Sequence, residues 1–526
     1  MIEFKNVSYT YPDGVSAIDD ISLTITSGEK VAVVGNNGSG KTTLALLVNG
    51  ILKPAEGSIS VNGYNPISDS DRKALKRIVS LVFQNPDNQL VATTVEREVA
   101  FSLENQNVGH PEIKERVDDA LEYFGLFAYR HRLTSELSGG EKQKLALASV
   151  MVARPEILIL DEPGSYLDES GKRLLDAAIR KLLDRVDDLT IIRITQFSHV
   201  TLDYKRLIVL KDGKALRDSN PDEIFSDADL CQQAGISIPL RYRIRPSAMN
   251  LEKDDYSNGE QTEIIKSISL TNISFSYDDT DIFSLKNINL NVKNTGLYGI
   301  VGPSGSGKST LIQLMTGLLS PKEGGINHTG FEPKSGTLAV SFQHPERQFF
   351  LDTVDKEIRF GAENLHLPSV DEIADNCYNL IGLSKVKFSA RDPFTLSGGE
   401  KRRLAFGTIL SLVPSFIFFD EPTCGLDYEG IELFKKMAKN LRRMGVGIVI
   451  ASHYGNIIFE LADEIIALND GQVECAVGKK EFFTSKNYFQ YLSQPEAVSY
   501  QLEHFGTVKY FSEGDLIHNI KFNSRL

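Results

Sequence analysis

The chain has 526 residues, 41% of them hydrophobic and 24% charged, a composition typical of a globular protein with more than one domain. Its net charge of −13 argues against a main partner with a phosphate backbone, so we expect no nucleic acid partner. The four cysteines are far apart and match no metal-ligand spacing, which favours a reducing compartment. The N-terminal residues do not resemble a signal peptide, and no stretch has the ~18–20 apolar residues of a membrane helix. We therefore expect no direct membrane insertion.

Long segments of the sequence occur twice in the same order. "GNNGSGKTTL" at 35–44 returns as "GPSGSGKSTL" at 302–311, and segment 82–101 returns at 341–360. "LSGGEKQKLAL" at 137–147 and "ILILDEPGSYLD" at 157–168 return 259 residues later. Such an offset predicts duplication of a whole domain. The expected boundaries are domain 1 at 1–235, a polar linker at 236–266, domain 2 at 267–480 and an appendage at 481–526.

Each glycine-rich segment follows an apolar strand and precedes a helix-compatible run, which is the context of a phosphate-binding loop. In such a loop the backbone N–H groups surround phosphate oxygens at a helix N-terminus. A lone match is also compatible with a glycine-rich turn beside a surface lysine, but two matched copies make that interpretation weak. The expected nucleotide-binding residues of the first copy are Gly35, Asn36, Gly38, Ser39, Gly40, Lys41, Thr42 and Thr43. Those of the second are Gly302, Pro303, Ser304, Gly305, Ser306, Gly307, Lys308, Ser309 and Thr310. The lysines are expected to reach the β- and γ-phosphates, and Thr42 and Ser309 to bind Mg²⁺.

The strands "ILILDE" and "FIFFDE" are apolar throughout, which predicts central parallel strands that are buried on both faces. Asp161 and Asp420 then lie at the carboxyl ends of the strands and are expected to bind the Mg²⁺ shell. Glu162 and Glu421 follow directly and are expected to polarise the attacking water. The alternative is a pair of solvated acids, which leaves the proline after both copies unexplained.

Two further matched pairs of residues are candidates for the same sites. Gln84 and Gln343 follow strand-like runs and are expected to touch Mg²⁺ or the water, although a glutamine there is often an ordinary surface residue. Tyr11 and Tyr277 lie upstream of the glycine-rich loops and are candidates for stacking on a base; core packing is an equally good explanation.

The LSGGE segments lie between the glutamine and the "DEP" strand in both halves, and with this order the chain resembles the ABC ATPases. The resemblance implies an α/β fold with two P-loop nucleotide-binding domains. Each has a largely parallel core sheet, an antiparallel β subdomain and a helical signature subdomain. It also implies that ATP and Mg²⁺ lie between the P-loop of one domain and the LSGGE segment of the other. The expected signature residues present backbone N–H groups to the γ-phosphate: Ser138, Gly139, Gly140, Ser397, Gly398 and Gly399.

By this resemblance the chain forms two composite ATP sites. The first combines domain 1 residues with the domain 2 signature serine: Lys41, Asp161, Glu162 and Ser397. The second is the reverse combination: Lys308, Asp420, Glu421 and Ser138. Asp168 and Asp427 match the loop that the family places between the two sites.

Within that family, segments 83–105 and 342–364 resemble the ATPases of energy-coupling-factor importers. The resemblance implies a membrane coupling protein and a substrate-binding membrane protein as partners, at the cytoplasmic face of the membrane. It implies a vitamin, a vitamin precursor or a metal ion as cargo. Glu98 and Glu357 are then expected to meet arginines of the coupling protein; the alternative is that they are solvated acids on a helix. Most such importers use two separate ATPase chains, so the fusion is a departure.

Other proteins with two ABC domains are alternatives. The tandem ATPase of a sugar importer shares the size and the duplication, but the 82–101 type of segment is not expected in both of its halves. A soluble tandem ABC translation factor normally carries a basic helical linker, whereas this linker is short and contains acids. A DNA-repair ABC protein needs zinc-type cysteine pairs, which this sequence lacks.

The two copies differ at one catalytic position. The strand "IVIAS" is followed by His453, which matches the family histidine that contacts the γ-phosphate, whereas "IIRIT" is followed by Gln196. An amide hydrogen-bonds a phosphate oxygen but carries neither a proton nor a positive charge. The alternative is a loop shift that brings His199 into place. We expect an asymmetric pair of sites, in which the site with His453 does most of the hydrolysis.

Overall fold

The structure is a computed structural model that describes residues 1–164, 167, 169–183, 188–244, 265–277, 284–342, 348–485 and 488–523. The chain divides into two compact units, Met1–Pro239 and Leu240–Leu526. Each unit is described separately below. Among the described residues, no helix is both long enough and apolar enough to cross a bilayer.

Unit 1 contains two sheets and a set of helices. Its strands are β1 (Ile2–Thr10), β2 (Ser16–Ile25), β3 (Lys30–Val34), β4 (Glu56–Val61), β5 (Val79–Val82), β6 (Ile157–Asp161), β7 (Thr190–Ile194), β8 (Arg206–Lys211) and β9 (Lys214–Ser219). Its helices are α1 (Lys41–Val48), α2 (Asp69–Ile78), α3 (Val95–Asn105), α4 (His110–Tyr123), α5 (Gly139–Met151), α6 (Glu169–Leu183), α7 (Pro221–Ser226) and α8 (Ala228–Ala234).

The core sheet of unit 1 has the order β5-β6-β7-β3-β8-β9, parallel except for the β8–β9 pair. Strand β6 reads Ile-Leu-Ile-Leu-Asp and is buried at every position, as expected for a central parallel strand. A three-stranded antiparallel sheet, β2-β1-β4, has an alternating burial pattern on β2 and covers one side of the core. Helices α3, α4 and α5 pack together around a second apolar cluster. These parts correspond to the three expected subdomains.

Unit 2 repeats this arrangement and adds helices at both ends. Its strands are β10 (Ser267–Ser276), β11 (Ser284–Lys293), β12 (Leu297–Val301), β13 (Glu323–Thr329), β14 (Leu338–Ser341), β15 (Phe416–Asp420), β16 (Gly447–Ala451), β17 (Glu464–Asn469) and β18 (Gln472–Gly478). Its helices are α9 (Leu240–Arg243), α10 (Lys308–Met315), α11 (Val354–Asn364), α12 (Val370–Ile381), α13 (Lys385–Phe388), α14 (Gly398–Leu410), α15 (Tyr428–Arg443), α16 (Gly455–Leu461), α17 (Lys479–Thr484), α18 (Glu496–Phe505) and α19 (Glu513–Asn523).

The sheets of unit 2 have the same orders as those of unit 1, β14-β15-β16-β12-β17-β18 and β11-β10-β13. The predicted α/β fold with two repeated domains is therefore confirmed. The cores are filled differently, because unit 2 packs three phenylalanines against one another with ring centroids 5.1–5.6 Å apart: Phe406, Phe419 and Phe434. The residues 259 positions earlier are three buried leucines: Leu147, Leu160 and Leu175. One backbone arrangement thus accepts two different sets of core side chains.

Helices at the two ends of unit 2 pack against each other. The backbone N–H of Leu240, at the start of α9, donates to the Glu496 carboxylate over 2.9 Å, and Arg243 forms an ion pair with Glu513 over 2.8 Å. Both partners belong to the predicted appendage at 481–526. Most of the predicted linker, residues 245–264, lies outside the described residues.

Candidate functional site

The glycine-rich loops connect β3 to α1 and β12 to α10, so each lies at the carboxyl end of a central parallel strand. Gly40 and Gly307 precede the helices with φ of +100° and +104°, a conformation that favours glycine. A Cβ on Gly40 would also lie 2.3 Å from the Ala17 carbonyl oxygen. The sequence therefore needs glycine where each helix begins.

The two loop lysines occupy equivalent positions. The Nζ of Lys41 donates to the carbonyl oxygens of Gly35 and Asn36 over 2.8 and 2.7 Å. The Nζ of Lys308 donates to Gly302 and Pro303 over 2.8 and 2.9 Å. Each ammonium thus lies beside a helix N-terminus whose backbone N–H groups attract anions. This is the arrangement expected of a phosphate site.

The strand-end aspartates meet the first hydroxyl residue of the helix that begins at the phosphate loop, α1 or α10. Thr42 hydrogen-bonds Asp161, and Ser309 hydrogen-bonds Asp420. Burial raises the pKa of both aspartic acids, and the hydroxyl and the neighbouring loop lysine only partly oppose that shift. A buried carboxylate that lacks full compensation, together with a hydroxyl, is an oxygen donor set that suits Mg²⁺. Among the described residues there is no cluster of three or more His, Cys, Asp or Glu side chains that could hold a metal by themselves.

The adjacent glutamates share an unusual backbone conformation. Glu162 and Glu421 have φ of +46° and +48°, and each backbone N–H donates to the last residue of the neighbouring strand, Ile194 or Ala451. A positive φ outside glycine is strained and often marks a functional position. In this conformation both side chains hydrogen-bond residues around the phosphate loops, described next.

The partners of the two glutamates differ. In unit 2, Ser452 Oγ donates to Glu421 over 3.1 Å, and the backbone N–H and Nδ1 of His453 lie 3.1 and 2.8 Å from its other oxygen. In unit 1, Gln84 Nε2 donates to Glu162 over 3.0 Å. Gln84 thus lies beside Glu162, and its contact with Mg²⁺ or the water stays a prediction. Its counterpart Gln343 lies outside the described residues, as does Asp168.

His453 keeps Glu421 ionised. Burial of this carboxylate opposes ionisation, but the charge and hydrogen bond of His453, with the charge of Lys308, lower the pKa of Glu421 below its ordinary value. The carboxylate is therefore ready to accept a hydrogen bond from a water molecule at neutral pH.

Strand register makes Gln196 the counterpart of His453. Asp161 pairs with Ile194, and Asp420 pairs with Ala451. Gln196 and His453 therefore each lie two residues after equivalent strand residues. No slip of the strand brings His199 forward; it lies in a 3₁₀ turn, Ser198–Thr201, with its ring 6.0 Å from that of Phe197. The Oε1 atom of Gln196 is buried and accepts no hydrogen bond from the described residues. A buried amide oxygen without a hydrogen-bond donor is energetically unfavourable.

The signature segments begin helices α5 and α14. Ser138 and Ser397 are the N-caps, and each forms a capping box with the glutamate three residues later, Glu141 or Glu400. The glycines that follow start helices of 13 residues, so their N–H groups are at the positive end of the helix dipole. The cap gives each signature segment a defined backbone. Asp427, in the matched loop of unit 2, is the N-cap of α15.

The two tyrosines lie beside the loop helices. Tyr11 OH is 3.1 Å from Thr43 Oγ1, and Tyr277 OH is 3.1 Å from Thr310 Oγ1. Tyr277 is 56% exposed and lies next to the phosphate loop. Base stacking by these tyrosines stays a prediction.

Glu98 and Glu357 have a different environment from either that we expected from the sequence. Both are only 3% exposed. One carboxylate oxygen of Glu98 accepts the backbone N–H groups of Val91 and Ala92, and Glu357 accepts those of Phe350 and Leu351 in the same way. They are therefore neither solvated acids nor exposed contacts for an arginine. Each anchors a loop whose apolar side chain faces outward, Val91 at 67% and Phe350 at 62% exposure.

Several residues at these sites were not singled out in the sequence. Ser452 Oγ donates to the Glu421 carboxylate, and Arg402 Nη1 donates to the Glu421 carbonyl oxygen over 2.9 Å. Gln89 accepts from the Phe83 N–H and donates to the Ala146 carbonyl, which joins the loop after β5 to α5. The hydroxyl residue at both strand ends, Thr195 and Ser452, was a signal that the repeat contained. Gln89 was also matched in the repeat, by Gln348, whereas Arg402, whose counterpart is Gln143, gave no such signal.

Comparison with known proteins gives consistent results. The ABC transporter family matches residues 18–165 and 285–424, one stretch in each unit. A protein of Methanosarcina mazei that carries the name ABC transporter ATP-binding protein is 30% identical over 522 residues, covering 90% of this chain and 88% of its own. A similarly named protein of Caldanaerobacter subterraneus is also 30% identical, covering 94% of this chain and 95% of its own. The similarity thus extends over both units.

Among solved structures, cbiO1 of Clostridium perfringens, described as part of the ABC transporter complex cbiONQ, is 34% identical. It covers 44% of this chain and 93% of its own length, with a TM-score of 0.39.

The pairing of His453 with Glu421 predicts a pH-dependent defect. In the wild type the lowered pKa of Glu421 contributes stability at neutral pH that is lost as the pH falls through that pKa. In the His453→Gln variant, the imidazole no longer opposes the effect of burial on the Glu421 carboxyl group. We therefore expect the pKa of Glu421 to rise. The stability deficit of the variant should be largest at neutral pH and should shrink as glutamic acids become protonated. Thermal unfolding at a series of pH values measures this, with the exposed His504→Gln as control. A deficit that is equal at every pH would contradict the assignment.

Proposed function

The chain belongs to the ABC transporter family of ATP-binding proteins, and on that premise we propose that it powers an importer of the energy-coupling-factor type. Members of this family bind and hydrolyse ATP and work with membrane proteins, so this chain is an ATPase subunit of a transporter. In our proposal it lies at the cytoplasmic face of the cell membrane, uses Mg²⁺ with ATP, and binds a membrane coupling protein and a substrate-binding membrane protein. The cargo class is a vitamin, a vitamin precursor or a metal ion.

The observation that carries this proposal is a matched pair of loops that follow β5 and β14. In both units a buried glutamate anchors the loop through two backbone N–H groups and leaves an apolar side chain exposed. Phe350 and Phe360 stack edge to face with centroids 4.8 Å apart, and the counterparts Val91 and Phe101 are also exposed. Exposed apolar patches of this kind suit a protein partner. In unit 1 the loop follows Gln84, which bonds Glu162, so a partner here would be linked to the hydrolytic site.

The function is tested by purifying the full-length chain from membranes of the cells that produce it. ATP turnover is then measured for the complex that the chain forms with co-purifying proteins. We expect small integral membrane proteins to co-purify and hydrolysis to require Mg²⁺, because Asp161 and Asp420 need a cation to offset their burial. Co-purification with ribosomes would favour the translation-factor alternative instead. A complex with membrane partners that hydrolyses no ATP would contradict the proposal.

The loop-anchoring glutamates allow a sharper test of the coupling. We expect Glu98→Gln with Glu357→Gln to keep most transport, because an amide oxygen still accepts the two N–H groups of each loop. Glu98→Ala with Glu357→Ala leaves four backbone donors without acceptors, at a cost of about 1–3 kcal/mol each, and should weaken assembly with the membrane partners. Transport and pull-down are the measurements, with ATP affinity as the control that should stay unchanged. If the Gln pair lost as much as the Ala pair, the negative charge itself would be required, as in direct pairing with partner arginines.

We further propose that the two hydrolytic sites are unequal. Glu421 is held by a histidine and a serine, whereas the residue in the histidine's place in unit 1 is Gln196, which cannot become cationic. Phosphoryl transfer depends on placed charges, so the loss of one such partner costs about 2–4 kcal/mol, or ~30- to 1000-fold in rate. Lys41, Asp161 and Glu162 are all retained in unit 1. That unit is therefore proposed to bind ATP and to turn it over slowly.

A matched pair of variants tests the inequality. Glu421→Gln should abolish most ATP turnover, and Glu162→Gln should cost much less, because the site in unit 2 supplies most of the rate. Gln196→His should raise the residual turnover of the Glu421→Gln variant, since it gives unit 1 the missing histidine. Steady-state hydrolysis of the full-length chain measures all three. Equal losses from the two glutamate variants would mean that the sites are strictly coupled or that His199 substitutes, and His199→Ala then separates these cases.

A further inference from the structure

Residues 491–496, which we call the strap, run beside the switch loop of unit 2, residues 452–456. The Ser493 N–H donates to the His453 carbonyl oxygen over 3.0 Å. The Gly455 N–H donates back to Ser493 Oγ over 2.8 Å. Three residues further along the strap, the Glu496 N–H donates to Asn456 Oδ1 over 2.9 Å. The strap thus bonds three residues of the switch loop.

The approach of the strap requires glycine in the switch loop. A Cβ on Gly455 would lie 1.8 Å from the Ser493 carbonyl oxygen, far inside van der Waals contact. By strand register the counterpart of Gly455 in unit 1 is Ser198. Because Ser198 carries a Cβ, the same close approach cannot occur there. Among the described residues, the strap contact is therefore found in unit 2, the unit with the histidine.

His453 is bonded on both of its sides. Its carbonyl oxygen accepts from Ser493, while its N–H and ring Nδ1 lie against the Glu421 carboxylate. A shift of the strap would move the peptide plane after His453 and, through the Cα, the ring. The distance of 2.8 Å between Nδ1 and Glu421 thus depends on where the strap lies.

The strap is itself fixed at both ends. Its first residue, Tyr491, accepts a hydrogen bond from the N–H of Gly302, the first glycine of the phosphate loop, over 3.0 Å. Its last residue, Glu496, accepts the N–H of Leu240 over 2.9 Å. Between them Leu492 is 1% exposed. Because both ends of the strap are anchored, the strap can fix the position of the switch loop and does not move with it.

We propose that the strap is a positioning element for hydrolysis in unit 2 and that Ser493 acts as a positioning residue through His453. It never reaches the reacting atoms; it keeps the histidine in hydrogen-bonding contact with Glu421. The proposal rests on the proposed hydrolytic role of that glutamate and histidine. The predicted appendage at 481–526, for which the sequence suggested no role, then supports the hydrolytic site of unit 2.

Ser493→Ala in the full-length chain removes the Oγ acceptor for Gly455 and leaves the backbone bond to His453. Loss of one such bond corresponds to about a 2- to 12-fold fall in kcat for ATP, with KM unchanged, because the phosphate loop is untouched. Ser493→Thr keeps a hydroxyl and should restore kcat. Gly455→Ala, which forces the strap away, should lower kcat further than Ser493→Ala. Ser499→Ala, on α18 beyond the strap, is the matched control and should leave kcat unchanged.

The result that overturns the proposal is a Ser493→Ala variant with wild-type kcat, or one whose kcat is not restored by threonine. A parallel change in kcat and KM, or an equal loss in Ser499→Ala, would indicate general destabilisation of the tail and would also overturn it. Glu421→Gln, measured alongside, separates this failure from that of the proposed function. If Glu421→Gln retains turnover, the hydrolytic role is wrong; if only Glu421→Gln loses turnover, the strap alone is wrong.

Discussion

Both units depend on placing two carboxylates at the carboxyl end of a fully buried central strand. Removing a carboxylate from water is expensive unless charges and hydrogen bonds replace the lost hydration. In unit 2 the replacement for Glu421 comes from His453, Ser452 and the charge of Lys308. The aspartates before the glutamates keep a raised pKa, because a hydroxyl and a lysine do not fully offset their burial. That residual deficit is what a divalent cation would satisfy.

The same requirement explains why one exchanged residue matters. Most matched positions of the two units tolerate change, as the exchange of Phe406, Phe419 and Phe434 for three leucines shows, because dispersion and apolar burial depend mainly on volume. The position two residues after β7 and β16 is different, since its side chain is an ionisable imidazole bonded to a carboxylate in one unit and a neutral amide in the other. A neutral amide cannot replace the charge of an imidazolium beside a carboxylate.

The glutamates Glu98 and Glu357 show where inference from residue type fails. An acid on a helix surface is solvated in most proteins, and the sequence offered only that interpretation or an exposed ion pair. Instead each side chain turns back to bond two N–H groups six and seven residues earlier in the chain. Such a contact has no pattern of its own, because backbone donors are present at every residue.

Composition, repeats and motif order were sufficient for the fold class, the duplication and the choice of Thr42, Asp161, Ser309 and Asp420 as candidate magnesium ligands. These features follow from local rules: buried strands are apolar, phosphate loops need glycine, and the ends of parallel strands lie at one edge of the sheet. Tertiary structure alone decided which residues bond Glu162 and Glu421, which backbone groups Glu98 and Glu357 bind, and that Ser493 meets the loop of His453. Those contacts join residues that are distant in the sequence, and many of them use backbone groups, which carry no signature in the sequence. The partners come together only when the sheet, the helices and the tail are packed.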